Sequence, residues 1–309
     1  MKMNCKSIVQ LAILLMLPLV AFCEDVTSDF LVITIENDSS NDYASAIKTF
    51  KQYDIPYNVF KIPKSGVSNE ELDKQIYCTL SNGEKAAKYK VIVFPNGRVS
   101  YNHAESQSGS NWQSALTYDQ WEYFYDYSRN YSSRLVFLNE YPSNYTSTRV
   151  YKEYKDEEAE RVYQQKQILI AQEDISEAET INNSNLSTEG IYHFPAVIVD
   201  ENNGISVEPL LFFSENSDIP EKTVAAVLVD NNGAQYAAFF MAFGEWSKDS
   251  TALNIVWLTW STNKDFKHIS GTQKTSEDAI KENGVKDYNK YEIIFVLITT
   301  VLTIIMTVF

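Results

Sequence analysis

Short apolar runs that alternate with helical patterns constrain this chain more than any other feature. Phe30-Leu-Val-Ile-Thr-Ile35 is continuous and β-branched, so it reads as a strand buried on both faces. Ala46, Ile47 and Phe50 then recur at helical spacing within Asp42–Tyr53. Tyr57–Ile62, behind the breaker Pro56, is a second strand, and Val91–Phe94, closed by Pro95-Asn96-Gly97, a third. Thr117-Tyr-Asp-Gln120 has capping-box spacing and predicts a helix to about Ser128, with Trp121, Phe124 and Tyr125 on one face. Arg134–Asn139 is a fourth strand. This order predicts an α/β fold with a doubly wound, mostly parallel sheet.

The middle of the chain departs from that rhythm. Tyr145–Gln172 is charged and Tyr-rich, and Glu173–Glu189 reads as an exposed acidic loop. Ile191–Asp200, Glu208–Phe213 and Thr223–Val229 are β-like, and Asn232-Gly233 signals a hairpin into Ala234–Phe243. A β-rich insertion over about 145–243 follows from these runs. Ser250–Thr262 is a closing helix with Leu253, Val256, Trp257 and Trp260 inward.

The two ends carry export signals. Lys2 and Lys6 flank the start of an apolar run from Ile8 to Phe22, which predicts a signal peptide over 1–23, cleaved before Glu24. The domain is expected over 24–266 and a polar stalk over 267–292. Residues 293–309 carry no charge and are expected to be a glycosylphosphatidylinositol signal, with attachment at Asn283, or a single membrane span. Sequons stand at Asn37, Asn130, Asn144, Asn182 and Asn185. A cell-surface glycoprotein is the expected context. If Cys5 and Cys23 leave with the leader, Cys78 stands alone as a small apolar residue. The net charge is −15, which excludes a nucleic-acid partner and permits a cationic polymer such as a partly deacetylated amino sugar.

Four segments resemble a known family: Leu116-Thr-Tyr-Asp-Gln-Trp121, Arg134-Leu-Val-Phe-Leu-Asn-Glu-Tyr-Pro142, Gly190-Ile-Tyr-His-Phe-Pro-Ala196, and Phe243-Gly-Glu-Trp-Ser247 with Trp257–Trp260. Together they resemble the N-terminal part of fungal exopolysaccharide deacetylases that act on galactosaminogalactan, a family 87 carbohydrate-binding module. The resemblance covers about Phe30 to Phe266. It implies sugar binding. The deacetylase motifs, an Asp-Asp pair and an H-x-x-x-H ligand set, have no counterpart, since His103, His193 and His268 are not at ligand spacing. Neither catalytic residue, metal nor cofactor is expected. The strand-helix order also looks like the amidotransferase-like α/β fold, but Cys78 lacks the flanking glycines of its nucleophile turn.

In open α/β sheets ligands lie beyond the carboxyl ends of the strands. Those ends carry Glu36, Asp38, Asn96, Arg98, Glu140, Tyr141, Glu245 and Trp246, the candidate saccharide cleft, with the loop Tyr101–Trp112 able to close over it. A glycan on Asn37 would crowd this cleft. Three functions fit: a non-catalytic polysaccharide-binding surface protein, a hydrolase pairing Glu36 with Glu140 or Glu245 across about 5–9 Å, and a structural adhesin that displays glycans.

Overall fold

In the computed structural model, residues 28–36, 42–103, 112–175, 177–199 and 204–264 are described. Strand β1 is Phe30–Ile35, and all six of its residues are buried because helices cover both faces. Strand β2, Tyr57–Ile62, pairs parallel with it from Phe30↔Tyr57 to Ile35↔Ile62. Two short hairpins flank the next long strand. They are β3 (Tyr77–Thr79) with β4 (Lys85–Ala87), and β6 (Ser100–Asn102) with β7 (Trp112–Ser114). Between them runs β5, Val91–Phe94, parallel to β1 and to β8, Arg134–Phe137.

The remaining strands are β9 (Thr148–Val150), β10 (Leu169–Ala171), β11 (Ala196–Ile198), β12 (Ile205–Phe213), β13 (Thr223–Asn231) and β14 (Ala234–Phe239). The main path of the ten-stranded sheet is β10-β12-β13-β14-β8-β5-β1-β2, with β11 joining β13 to β9. Strands β2, β1, β5, β8 and β14 are parallel, whereas the pairings beyond β14 are antiparallel. The β-rich region therefore extends the parallel half edge to edge, and β14 is shared: parallel to β8, antiparallel to β13. Asn232 (φ 51°) and Gly233 (φ 90°) make the hairpin that reverses the chain between them.

Helix α1 (Ala44–Gln52) covers one face together with α6 (Lys248–Thr262): Phe50 meets Trp257 edge-on at 5.7 Å, and Asn254 Nδ2 donates to Ser45 Oγ at 2.7 Å. Helices α2 (Asn69–Ile76) and α3 (Tyr118–Tyr131) cover the other, where Leu72, Ile76, Trp121 and Phe124 pack on Ile33, Phe94 and Phe137. Each of these two helices starts with a complete capping box, Ser68 with Glu71 and Thr117 with Gln120. Gln120 Nε2 also donates to Val67 O at 2.9 Å and so ties one helix start to the other. Thr117→Ala is expected to cost about 1 kcal/mol, read as a lower urea midpoint at unchanged slope.

Two expectations need correction. The segment 173–189 is not one exposed loop. After α4 (Asp156–Val162), helix α5 (Ala178–Ser184) buries Ala178 and Ile181, and Leu186, Ser187 and Thr188 are buried after it. Its acidic composition hid two buried apolar positions three residues apart, Ala178 and Ile181. Cys78 is also not a lone thiol. It takes part in a disulfide whose partner lies outside the described residues.

Candidate functional site: the carboxyl end of the sheet

In chain order the parallel strands take the positions 2-1-3-4-5, so the winding direction reverses between β1 and β5. In open α/β sheets, connections at such a reversal diverge, and ligands lie beyond the carboxyl ends there. Glu36 follows β1 there, exposed, with its N–H on Ile62 O at 2.7 Å. Asn96 follows β5, half-buried, and its side chain donates to Ser100 O at 3.1 Å. Asp38, Asn37 and residues 104–111 of the closing loop lie outside the described residues.

Arg98 and Glu140 come together, but inside the protein. They are 8% and 3% exposed, and Arg98 Nε lies 3.3 Å from Glu140 Oε1. Arg98 Nη2 donates to Tyr125 Oη at 2.8 Å, and the guanidinium carbon sits 3.7 Å from the centre of the Tyr145 ring. Arg98 Nη1 and Glu140 Oε2 have no hydrogen-bond partner among the described residues. Burial pushes the Glu140 carboxyl up to about 7 against the pull of Arg98. These two residues hold the platform from below rather than line its surface. The sequence showed two charges at strand ends and could not show that Tyr145 lies over the arginine.

The backbone around this pair is strained. Gly97, Val99 and Asn139 all have positive φ, 48°, 50° and 54°. For a buried β-branched residue such as Val99 this is a rare conformation, and such strain gathers at functional sites. A Cβ on Gly97 would lie 2.9 Å from Asn139 O and 3.2 Å from Glu140 Oε2, so only glycine fits.

The surface above is aromatic. Among the described residues, six large hydrophobic side chains are exposed: Val59, Trp112, Tyr118, Tyr141, Tyr145 and Trp246. Val59 is on the edge strand. The five aromatics lie where the chain leaves the carboxyl ends: Trp112 in β7 between β5 and α3, Tyr118 at the first position of α3, Tyr141 and Tyr145 after β8, Trp246 after β14. Tyr141 and Trp246 are 52% and 61% exposed. The Trp246 indole donates to Gly190 O at 3.2 Å and lies over Gly244, where a Cβ would collide with its ring. Glu245 beside it is exposed. Sequence reasoning missed Tyr118 and Tyr145 and named Trp112 only as the end of a loop over the cleft, because its exposure depends on the β6–β7 hairpin.

Other chemistry is structural. His193 is fully buried, with its ring nitrogens 3.0 Å from Ile191 O and 2.9 Å from Gln167 Oε1, and burial lowers its pKa to about 4. Among the described residues no three His, Cys, Asp or Glu side chains are grouped to hold a metal, and no helix is long and apolar enough to cross a membrane. Residues 293–309 and Asn283 lie outside the described residues. Asn130, Asn144, Asn182 and Asn185 are exposed, although the Asn182 side chain accepts from Ala171 N at 2.7 Å. At the opposite end of the sheet a basin of about 930 Å³ is lined by Lys85, Lys88, Lys90 and Arg134. These four cations are engaged, with Lys85 on Asp73, Lys90 on Asp29, Lys88 on Lys74 O and Arg134 on Trp260 O.

Among the described residues, this doubly wound domain shows its most exposed aromatic rings at the carboxyl end of the sheet. The chain belongs to carbohydrate-binding module family 87: the profile described as Agd3 CBM87 matches residues 26–260. Its structure is similar to that of the carbohydrate deacetylase Agd3, at 29% identity and a TM-score of 0.60, over 76% of this chain and 32% of that one. This chain thus spans about a third of that protein's length. A ThuA-like protein from Bacteroides uniformis (14% identity, TM-score 0.43, 80% of this chain and 96% of that one) and a beta-galactosidase from Rahnella sp. R3 (9%, TM-score 0.38, 76% and 32%) are more distant and carry no argument. The amidotransferase-like detail of the expected fold therefore stays unsupported. No functionally curated protein matches the chain.

Proposed function

We propose that this chain is a non-catalytic polysaccharide-binding protein of the cell surface, which grips an amino-sugar exopolysaccharide or wall glycan on the carboxyl-end face. One observation carries the reading: the exposed aromatics gather on that face. Such rings stack on the C–H faces of sugars, and Trp and Tyr combine a flat apolar body with a polar tip. Export by residues 1–23 and tethering through 293–309 would place the face outside the cell. A hydrolase reading has one observation in its favour, the raised Glu140 pKa expected of a general acid. At 3% exposure and paired with Arg98, that carboxyl is out of reach of a glycosidic oxygen.

The test is a glycan array probed with wild type and with Tyr141→Ala and Trp246→Ala. Wild type is expected to bind hexosamine polymers, and each variant to lose about tenfold or more in affinity. A wild type that binds no polysaccharide would contradict the proposal.

A further inference from the structure

Cys78 is disulfide-bonded, and the chain contains three cysteines. Its partner within the chain is therefore Cys5 or Cys23, both outside the described residues. A leader cut before Glu24 would take both away, and Cys78 would have nothing to pair with in its own chain. The disulfide and that cut exclude each other.

The position of Cys78 favours Cys23. Strand β3 sends alternate side chains to opposite faces of its hairpin. Tyr77 turns to α3, where its ring centre lies 5.7, 5.2 and 5.7 Å from those of Tyr123, Tyr127 and Tyr131. Cys78, half-buried, takes the other face with its register partner Ala86. The chain leaving β4 runs beside the start of β1. Lys90 N donates to Asp29 O at 2.9 Å, and Lys90 Nζ lies 2.9 Å from Asp29 Oδ1. Asp29 and Ala86 both line the basin at the amino end of the sheet. From Asp29 the way to Cys78 is one hydrogen bond to Lys90, four residues back to Ala86, and one step across the register. Cys23 stands six residues before Asp29, and six extended residues reach about 20 Å, enough for that path. Cys5 stands ahead of the apolar run, beside Lys2 and Lys6. In a leader, these cations hold that end on the cytosolic side, where thiols stay reduced.

The same run holds a cut that keeps Cys23. A leader ends in a small residue. Ala21 is smaller than Cys23, and Pro18 ends the apolar helix three residues before it.

We propose that the leader is cut between Ala21 and Phe22, and that Cys23 stays in the mature chain and forms the disulfide with Cys78. Water opens the Ala21–Phe22 peptide bond, leaving a carboxylate on the leader and an amine on the domain. The two thiols then lose two protons and two electrons as the S–S bond forms. The electrons pass by thiol–disulfide exchange to an oxidoreductase of the secretory compartment, whose own disulfide becomes two thiols. The bond ties the new amino terminus to the β3–β4 hairpin, where an untethered terminus would fray.

The experiment expresses the full chain through the secretory route of a eukaryotic host. The purified protein is sequenced from its amino terminus, alkylated before and after reduction, and mapped by peptide mass. The expected terminus is Phe22. No thiol is expected to react before reduction, and a linked peptide pair holding Cys23 and Cys78 is expected to separate on reduction. Cys23→Ser is expected to leave Cys78 open to alkylation and to lower the melting midpoint by several degrees. A terminus at Glu24 with Cys78 alkylated before reduction would overturn the proposal. So would a peptide pair joining Cys78 to Cys5 or to a second Cys78.

Discussion

Arg98→Ala is expected to lower the stability of the domain by roughly 3–5 kcal/mol, a fall in Tm of about 10 °C. Three losses add up. Glu140, 3% exposed, is left without its countercharge. Tyr125 Oη loses the donor at 2.8 Å. Tyr145 loses the guanidinium 3.7 Å beneath its ring, together with the contact that holds it over the face. Sugar affinity is therefore expected to fall along with stability, although Arg98 touches no sugar. A thermal melt within a degree or two of wild type would show that the pair is not structural.

Glu140→Gln is expected to change the pH dependence of stability. Burial holds the folded carboxyl at about 7, above its ordinary 4.5. A carboxyl raised in this way binds its proton more tightly in the folded chain. That contribution is complete below about pH 4.5 and is lost as the pH rises through about 7. Glutamine keeps the shape and never ionises. The stability difference, variant minus wild type, is expected to rise between pH 4 and pH 8, because only wild type gives up a proton held tightly in the folded chain, and the buried Arg98 sets its offset. His193, lowered to about 4, has the reverse slope: its contribution is present above 6.5 and is lost as the pH falls through about 4. It is common to both proteins and cancels in their difference. Urea midpoints measured from pH 4 to 8 give that difference, and a flat difference curve would mean that Glu140 titrates like an exposed carboxyl.

The parallel half of the fold was legible because its signals are local. Phe30–Ile35 needs only its own composition to declare burial on both faces, and Thr117 with Gln120 marks the start of α3. The same spacing in Ser68-Asn-Glu-Glu71 marks α2 and was overlooked among charged residues. Helix α5 was hidden because an acidic, Asn-rich surface outweighed its few buried positions. The antiparallel strands were recognisable as strands, but their attachment through β14 depends on pairing across the chain, which no local pattern encodes.

The candidate site was legible in place and only partly in role. The rule that ligands lie beyond the carboxyl ends located Tyr141 and Trp246, which are exposed. It could not tell them from Arg98 and Glu140, which occupy equivalent positions and point inward. That difference arises from Gly97, Val99 and Asn139, whose positive φ values turn the chain so that the two charges meet below the surface.

Backbone amide chemical-shift mapping during titration with a free-amine hexosamine oligomer tests the location of binding most directly. Shifts are expected in 139–145, 190–194 and 244–247, around Tyr141, Phe194 and Trp246. Shifts confined to the far basin of Lys85, Lys88 and Arg134 would contradict a sugar-binding carboxyl-end face.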